Sequence, residues 1–468
     1  MASVALPNPQ ALIDDRSFFG HPRGIAYLAF TEMWERFSFY GMRALLGLYM
    51  VQELLLPGHI ENVVGMASLR AGLEALFGPL STIALSSQIF GFYAGLVYLT
   101  PLLGGYLADR WWGAKRTVLL GVFLMTAGHL VMLFEQSFLL ALLLLILGSG
   151  CLKGNIAAQV GHLYAPGDSS RASHGFTIFS TGINVGAAGG PLLCGAMAQI
   201  YGWEAGFGTA GVLMLLACAI YLAGQRHLAD RPVHHSVDAQ SAPLTRGEWR
   251  RVWLVVAVMA ITMFPQMAYD QFLNTGMIWV ANHVDPSTPF GDVPVAWFAS
   301  FDSIICILIA PGLIALWAGM ARRGTEPGDI GKIGWGALMS AGSGLMLVLA
   351  AQWAGEGRTG VWLPIVGYSS LGIAFMWYWP ILLAFVARNA PAKISGRMMS
   401  ITYFTLFFTN VMGGLIGSLY EWMGPVNFWL CNTAISASGA LAALLFGPAI
   451  NRALAAIPAE LPPERVRV

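Results

Sequence analysis

Apolar runs long enough to cross a hydrocarbon core of ~30 Å recur along this chain, separated by short polar breaks. They lie near residues 25–52, 82–108, 117–135, 138–164, 174–199 and 206–225. A second set follows near 251–283, 295–320, 331–354, 361–387, 396–421 and 427–449. The pattern predicts twelve transmembrane helices. The seventh run is interrupted by Pro265 and Asp270, and the ninth is rich in glycine. One polar segment, 225–250, breaks the series in the middle with Arg, His, Pro and Ser. It divides the chain into an N-terminal six-helix bundle over 1–225, a linker over 226–250 and a C-terminal six-helix bundle over 251–468.

The first run breaks the apolar rule. Thr31-Glu-Met-Trp-Glu-Arg-Phe-Ser-Phe-Tyr-Gly-Met-Arg43 puts two carboxylates and two guanidiniums between apolar flanks. A charge near the bilayer centre costs a few kcal/mol or more, so four in three turns require a polar surrounding. At ~100° per residue, Glu32, Arg36, Tyr40 and Arg43 share one face, with Glu35 beside it. That face is expected to line a water-filled cavity while the others meet lipid.

Composition agrees: 56% of residues are hydrophobic and 10% charged, against roughly 25% charged in soluble proteins. The net charge of +1, with no basic stripe interleaved with aromatics, gives no sign of a nucleic-acid partner. The five cysteines all sit in apolar segments without CxxC spacing, so neither a disulfide framework nor a metal site is expected. Residues 1–21 carry Asp14 and Asp15 and no apolar run, unlike a cleaved signal peptide. With both termini cytoplasmic, 20 of the 25 Lys and Arg residues fall on the cytoplasmic side and only Arg70 and Arg358 outside. The other three, Arg36, Arg43 and Lys153, lie within spans. This bias sets the orientation; a cell (inner) membrane is the expected location.

Six plus six spans around a central cytoplasmic loop is the layout of the major facilitator fold, an all-α fold in which two bundles rock about a midplane site. Gly105-Tyr-Leu-Ala-Asp109-Arg110-Trp-Trp-Gly113-Ala-Lys115-Arg116 resembles the signature of that superfamily between spans two and three. Asp109, Arg110, Lys115 and Arg116 are read as an inter-bundle latch of charge-assisted hydrogen bonds. Arginines that only set topology would explain the cations but not the Gly-Asp-Gly spacing. Gly319-Met-Ala-Arg322-Arg323-Gly324 is a degenerate echo in the second half.

Glu32-Met-Trp-Glu35-Arg36-Phe37-Ser-Phe39-Tyr40-Gly41 resembles the E-x-x-E-R-F-x-Y-Y-G hallmark of the proton-coupled oligopeptide transporters, with Phe39 for the first Tyr. Phe179-Ser-Thr-Gly-Ile183-Asn184-Val-Gly186 and the segment from Gly202-Trp203 to Gly211 resemble further family motifs, and the similarity runs from about residue 20 to 450. The resemblance implies that Glu32, Glu35 and Arg36 couple protons, together with Lys153 and with Asp270 at the external gate. It assigns Tyr40, Arg43, Tyr98, Lys153 and Asn184 to the substrate, the two cations facing its carboxylate. The residues alone leave alternatives: a charged knot that only packs the first helix, a snorkelling Lys153, an Asn184 hydrogen bond between helices, a Tyr98 interface anchor.

Two departures stand out. The family's tenth-span Glu, which holds the substrate amine, is replaced by Phe375, while Asp302 takes the place of an eighth-span Asn. The negative partner of the amine is therefore expected to have moved to Asp302; a neutral Asp302 bonding within its bundle is the plainer alternative. Gly91 replaces a second-span His of animal relatives, and the linker is too short for the two extra helices of most bacterial ones, at ~20 residues per crossing.

The expected function is proton symport of di- and tripeptides by alternating access, in a lipid bilayer, as a monomer, with protons as the coupling ion and no cofactor or metal. Another zwitterion or anion, such as a modified peptide or nitrate, is the alternative within transporters. Coupled charges of both signs disfavour a passive channel. A membrane-embedded enzyme finds no nucleophile and base pair, His cluster or phosphate loop in the sequence.

Overall fold

Twelve long helices carry the chain back and forth in the computed structural model, which describes residues 15–165, 168–228 and 243–457. They are α1 Arg23–Tyr49, α2 Thr82–Leu107, α3 Gly113–Val131, α4 Phe138–His162, α5 Ser169–Tyr201, α6 Trp203–Gly224, α7 Arg246–Leu273, α8 Phe298–Arg322, α9 Asp329–Ala354, α10 Trp362–Asn389, α11 Ser395–Gly417 and α12 Tyr420–Ala455. Ten helical stretches among the described residues are long and apolar enough to cross a membrane, and one of them, 82–131, holds both α2 and α3. α1 equals them in length but carries Glu32, Glu35, Arg36 and Arg43. Local chemistry marks several ends. Ser81 caps α2 by accepting from the Ala84 N–H, and Thr245 with Glu248 forms a capping box on α7, each satisfying an otherwise orphaned donor. Twelve traverses return the chain to the face from which it set out, the near face; the opposite one is the far face.

The seventh apolar run differs from its expected extent of 251–283. It breaks at Asn274 (φ −102°, ψ −98°), and Thr275–His283 forms a separate short helix. Met277, Ile278, Trp279 and Val280 on that helix are buried, and the helix packs on both α1 and α7. Their apolar character therefore reflects protein packing rather than a longer membrane crossing. The glycine-rich ninth run stays one unbroken helix, because Gly336 and Gly344 let it approach α10 and α12 closely.

α1 packs on α5 and α6, and α2 and α3 on α4; α7 packs on α11 and α12, and α9 on α10 and α12. Between the halves, α2 meets α11 and α5 meets α8. Adding six to each helix of the first half turns one of these contacts into the other, so the two bundles join through two equivalent seams. These seams close the far half. Ser81 donates to Glu421, Asn274 Nδ2 to the Ser87 carbonyl at 3.4 Å, and Trp297 Nε1 to the Leu192 carbonyl at 2.9 Å.

One stripe of small residues positions the charged face. Gly182, Gly186 and Gly190 recur every four residues on α5, as in close helix packing within membranes, and bring its backbone against α1. A Cβ on Gly186 would lie 2.5 Å from both the Arg36 Cβ and the Met33 carbonyl oxygen. Gly186→Val is accordingly expected to overpack this seam at a cost of about 1–3 kcal/mol or more. Thermal unfolding of the purified variant would show a lowered midpoint; an unchanged one would contradict the close seating of Arg36 on α5.

Candidate functional site

The midsection of α1 lies between α5 and α6, and its face is set from behind. Ser38 Oγ donates to the Ala210 carbonyl at 2.7 Å and lies 2.8 Å from His129 Nε2. Because the single hydroxyl hydrogen goes to Ala210, the imidazole carries its proton on Nε2 and donates to Ser38. With that side held, the helical repeat aims Glu32, Glu35, Arg36, Tyr40 and Arg43 inward.

Arg36 Nε lies 3.0 Å from Glu32 Oε1 and 2.6 Å from Glu35 Oε2, with all three side chains buried. One N–H is shared between two carboxylates, and it is well aligned with neither. The Lys153 ammonium on α4 makes no ion pair with this cluster. It sits 4.4 Å from the Phe39 ring centre and 4.7 Å from that of Tyr98, with no hydrogen-bond partner. Arg36 also lies over Phe39, at 5.4 Å. Phe39, the departure from the Tyr of the motif, is thus the aromatic face on which two cations rest.

Arg43, one turn beyond Tyr40, reaches across the bundles and donates to Asn410 Oδ1 at 3.3 Å, its guanidinium 5.4 Å from the Phe90 ring centre. Asp270 on α7 is buried and accepts from Gln266 Nε2 at 3.1 Å, within electrostatic reach of Arg43. Asp302 on α8 is buried too. It accepts from the Tyr269 hydroxyl, from the Ser303 N–H at 2.6 Å and from Ser303 Oγ at 3.1 Å. Phe375 packs against Tyr269 with ring centres 5.4 Å apart, so the lost acid of span ten and the gained acid of span eight border one phenol. Tyr40 lies within electrostatic reach of Asp302, and Tyr98 of Tyr403.

The structure therefore brings Glu32, Glu35, Arg36, Lys153 and Tyr98 together on one wall, and Arg43 with Asp270 at the far seam. Tyr40 packs against Phe39 of the first wall, ring centres 5.3 Å apart. Asn184 is exposed on α5 and stands apart from these contacts. Asp109, Arg110 and Arg116 are exposed on the near face and make no ion pair or hydrogen bond among the described residues. Lys115 donates to the Gln225 carbonyl at 2.6 Å, inside its own bundle. Gly91 faces the Asn410 carbonyl and Gly414, where a Cβ would lie 2.7 Å from each, so no longer side chain fits at that seam. Sequence reasoning did not single out Asn410, Tyr269, Trp379 or Tyr403. A polar Asn inside the apolar eleventh span was the available signal for the first; the aromatic residues carry no sequence signal beyond composition.

A sequence profile of the POT family matches residues 115–246 and 244–430. The peptide transporter YePEPT of Yersinia enterocolitica is 28% identical, over 92% of this chain and 95% of its own length. A di-/tripeptide transporter of Lactococcus lactis subsp. cremoris is 27% identical, over 89% and 93%. Among solved structures, a peptide transporter POT in complex with sulfate superposes with a TM-score of 0.82, at 23% identity and with 96% and 99% of the two chains covered. At that identity the likeness is one of fold.

Proposed function

The chain belongs to the POT family, and on that premise we propose that it is a proton-coupled symporter carrying di- and tripeptides inward by alternating access. The names of its relatives in Yersinia and Lactococcus support the substrate class. The positive-inside bias supports cytoplasmic termini, and the location proposed is the inner membrane. The near face is then cytoplasmic, and the far seams hold the protein closed to the outside. The bundles over 1–225 and 251–468 are the moving bodies, with 226–250 as their tether; residues 229–242 of it lie outside the described residues. Asp109, Arg110, Lys115 and Arg116 latch the near face in the opposite state. The protein works as a monomer and needs no cofactor besides protons.

The observation that carries the coupling is the charge count of the α1 cluster. Two buried carboxylates share one guanidinium nitrogen, leaving one negative charge in a setting where unbalanced charge is costly. A proton balances it without any other movement, and so does an approaching ammonium. Protonation of Glu32 or Glu35 therefore removes the attraction that would draw Lys153 or Arg43 to the cluster and leaves that cation to hold a substrate carboxylate, a geometry suited to charge-assisted hydrogen bonds. Release of the proton to the cytoplasm draws Lys153 back and discharges the peptide. Asp270, beside Arg43 and Asn410, exchanges protons as the far gate opens. Tyr40 and Tyr98 line the substrate site, Asn184 contacts the peptide backbone, and the Asp302–Tyr269 pair takes the amine.

The test is uptake of labelled dialanine into proteoliposomes under an inward proton gradient, collapsing when a protonophore is added. Uptake indifferent to the gradient would refute symport. For the amine, Asp302→Asn is expected to weaken dialanine binding by about 10- to 150-fold, as loss of a hydrogen bond to a charged group does. Retained affinity would remove Asp302 from this role.

A further inference from the structure

At the amine end of the site most lone pairs of Asp302 are already taken. A carboxylate offers about four lone-pair positions, and Asp302 already receives three protein donors from Tyr269 and Ser303. Around it the wall is aromatic. Phe375 is 5.4 Å from Tyr269, 5.6 Å from Tyr378 and 6.4 Å from Trp379, ring centre to ring centre. Trp379 lies in turn 6.0 Å from Tyr403, whose side chain is 43% exposed. The Tyr378 hydroxyl donates to Gln266 Oε1 at 3.2 Å, which leaves its oxygen as a weak, neutral acceptor. A primary ammonium brings three N–H donors, of which Asp302 has room for about one; the others must turn to neutral phenol oxygens, which are weaker acceptors than a carboxylate. An alkylated ammonium brings fewer donors and turns its charged methyl groups to ring faces, the arrangement that aromatic cages use.

We propose that the site prefers substrates whose amino end is methylated, one N–H going to Asp302 and the methyl groups lying on Tyr269 and Phe375. The inference rests on the peptide-transporter reading and narrows its substrate class. Charge complementarity fixes the orientation, because Lys153 and Arg43 on the first bundle take the carboxylate at the other end.

The experiment is displacement of labelled dialanine from proteoliposome-reconstituted protein by unlabelled dialanine, N-methyl-dialanine and N,N-dimethyl-dialanine. The dimethylated peptide is expected to compete about threefold to thirtyfold better than dialanine, the range of a desolvated cation on an aromatic face. Phe375→Ala, and separately Phe375→Leu, should erase that advantage while dialanine still displaces the label. A dimethylated peptide that competes no better than dialanine overturns the proposal, as does an advantage that survives both substitutions. If unlabelled dialanine itself fails to displace the label, the peptide reading fails, and the two failures are thereby told apart.

Discussion

Glu35→Gln is expected to abolish proton-driven accumulation of dialanine while leaving exchange of peptide across the membrane intact. Glu35 is fully buried, and Gln keeps its shape. Arg36 retains Glu32 at 3.0 Å as a counterion, so the seam with α5 keeps its charge pair. What changes is the charge count: the cluster becomes permanently neutral, as though the proton had never left. A carrier fixed in that state binds and exchanges peptide but performs no work with the gradient. One charge moving through 100 mV supplies ~2.3 kcal/mol, which corresponds to about fiftyfold accumulation. In the variant the accumulation ratio should fall to about one. Counterflow of labelled against unlabelled dialanine measures exchange alone and should persist. Equal loss of both activities would show that Glu35 only holds the helix together, and undiminished accumulation would move the coupling to another group.

The fold and the charged wall were legible because they are written in local pattern. Apolar length gives the spans, and four charges at helical spacing give a cavity face whatever surrounds it. The seventh run shows where the pattern fails. A helix buried in protein and one buried in lipid have the same hydropathy, and only the backbone break at Asn274, whose side chain reaches Ser87 in the other bundle, separates 275–283 from the span. The site shows the same limit. Asp302 was visible as an acid in an apolar run, but its sealing by Tyr269 joins residues 33 positions apart on two helices. Phe39 read only as a missing hydroxyl; its use as a platform for Lys153 and Arg36 depends on α4 lying over α1. Likewise Arg43 reads as a substrate cation from α1 alone, and its bond to Asn410 spans the seam between bundles.

Lys153→Gln is expected to cost peptide affinity without costing stability, and this separation distinguishes a ligand-binding cation from a structural one. Among the described residues its ammonium has no carboxylate within ion-pair distance and no hydrogen-bond partner; the Phe39 and Tyr98 rings face it. Such contacts return about 0.5–2 kcal/mol, less than the several kcal/mol that withdrawing a charge from water costs. Replacing it by a neutral side chain of similar length should leave the unfolding midpoint unchanged or raise it. Peptide binding should weaken by about 10- to 150-fold, the value of a hydrogen bond between charged groups. The loss should be confined to ligands with a free carboxylate: the preference of wild-type protein for dialanine over its C-terminal amide should shrink in Lys153→Gln to what Arg43 alone supplies. A lowered midpoint with the preference for dialanine over its amide intact would show instead that Lys153 stabilises α4 against α1 and that Arg43 alone reads the carboxylate.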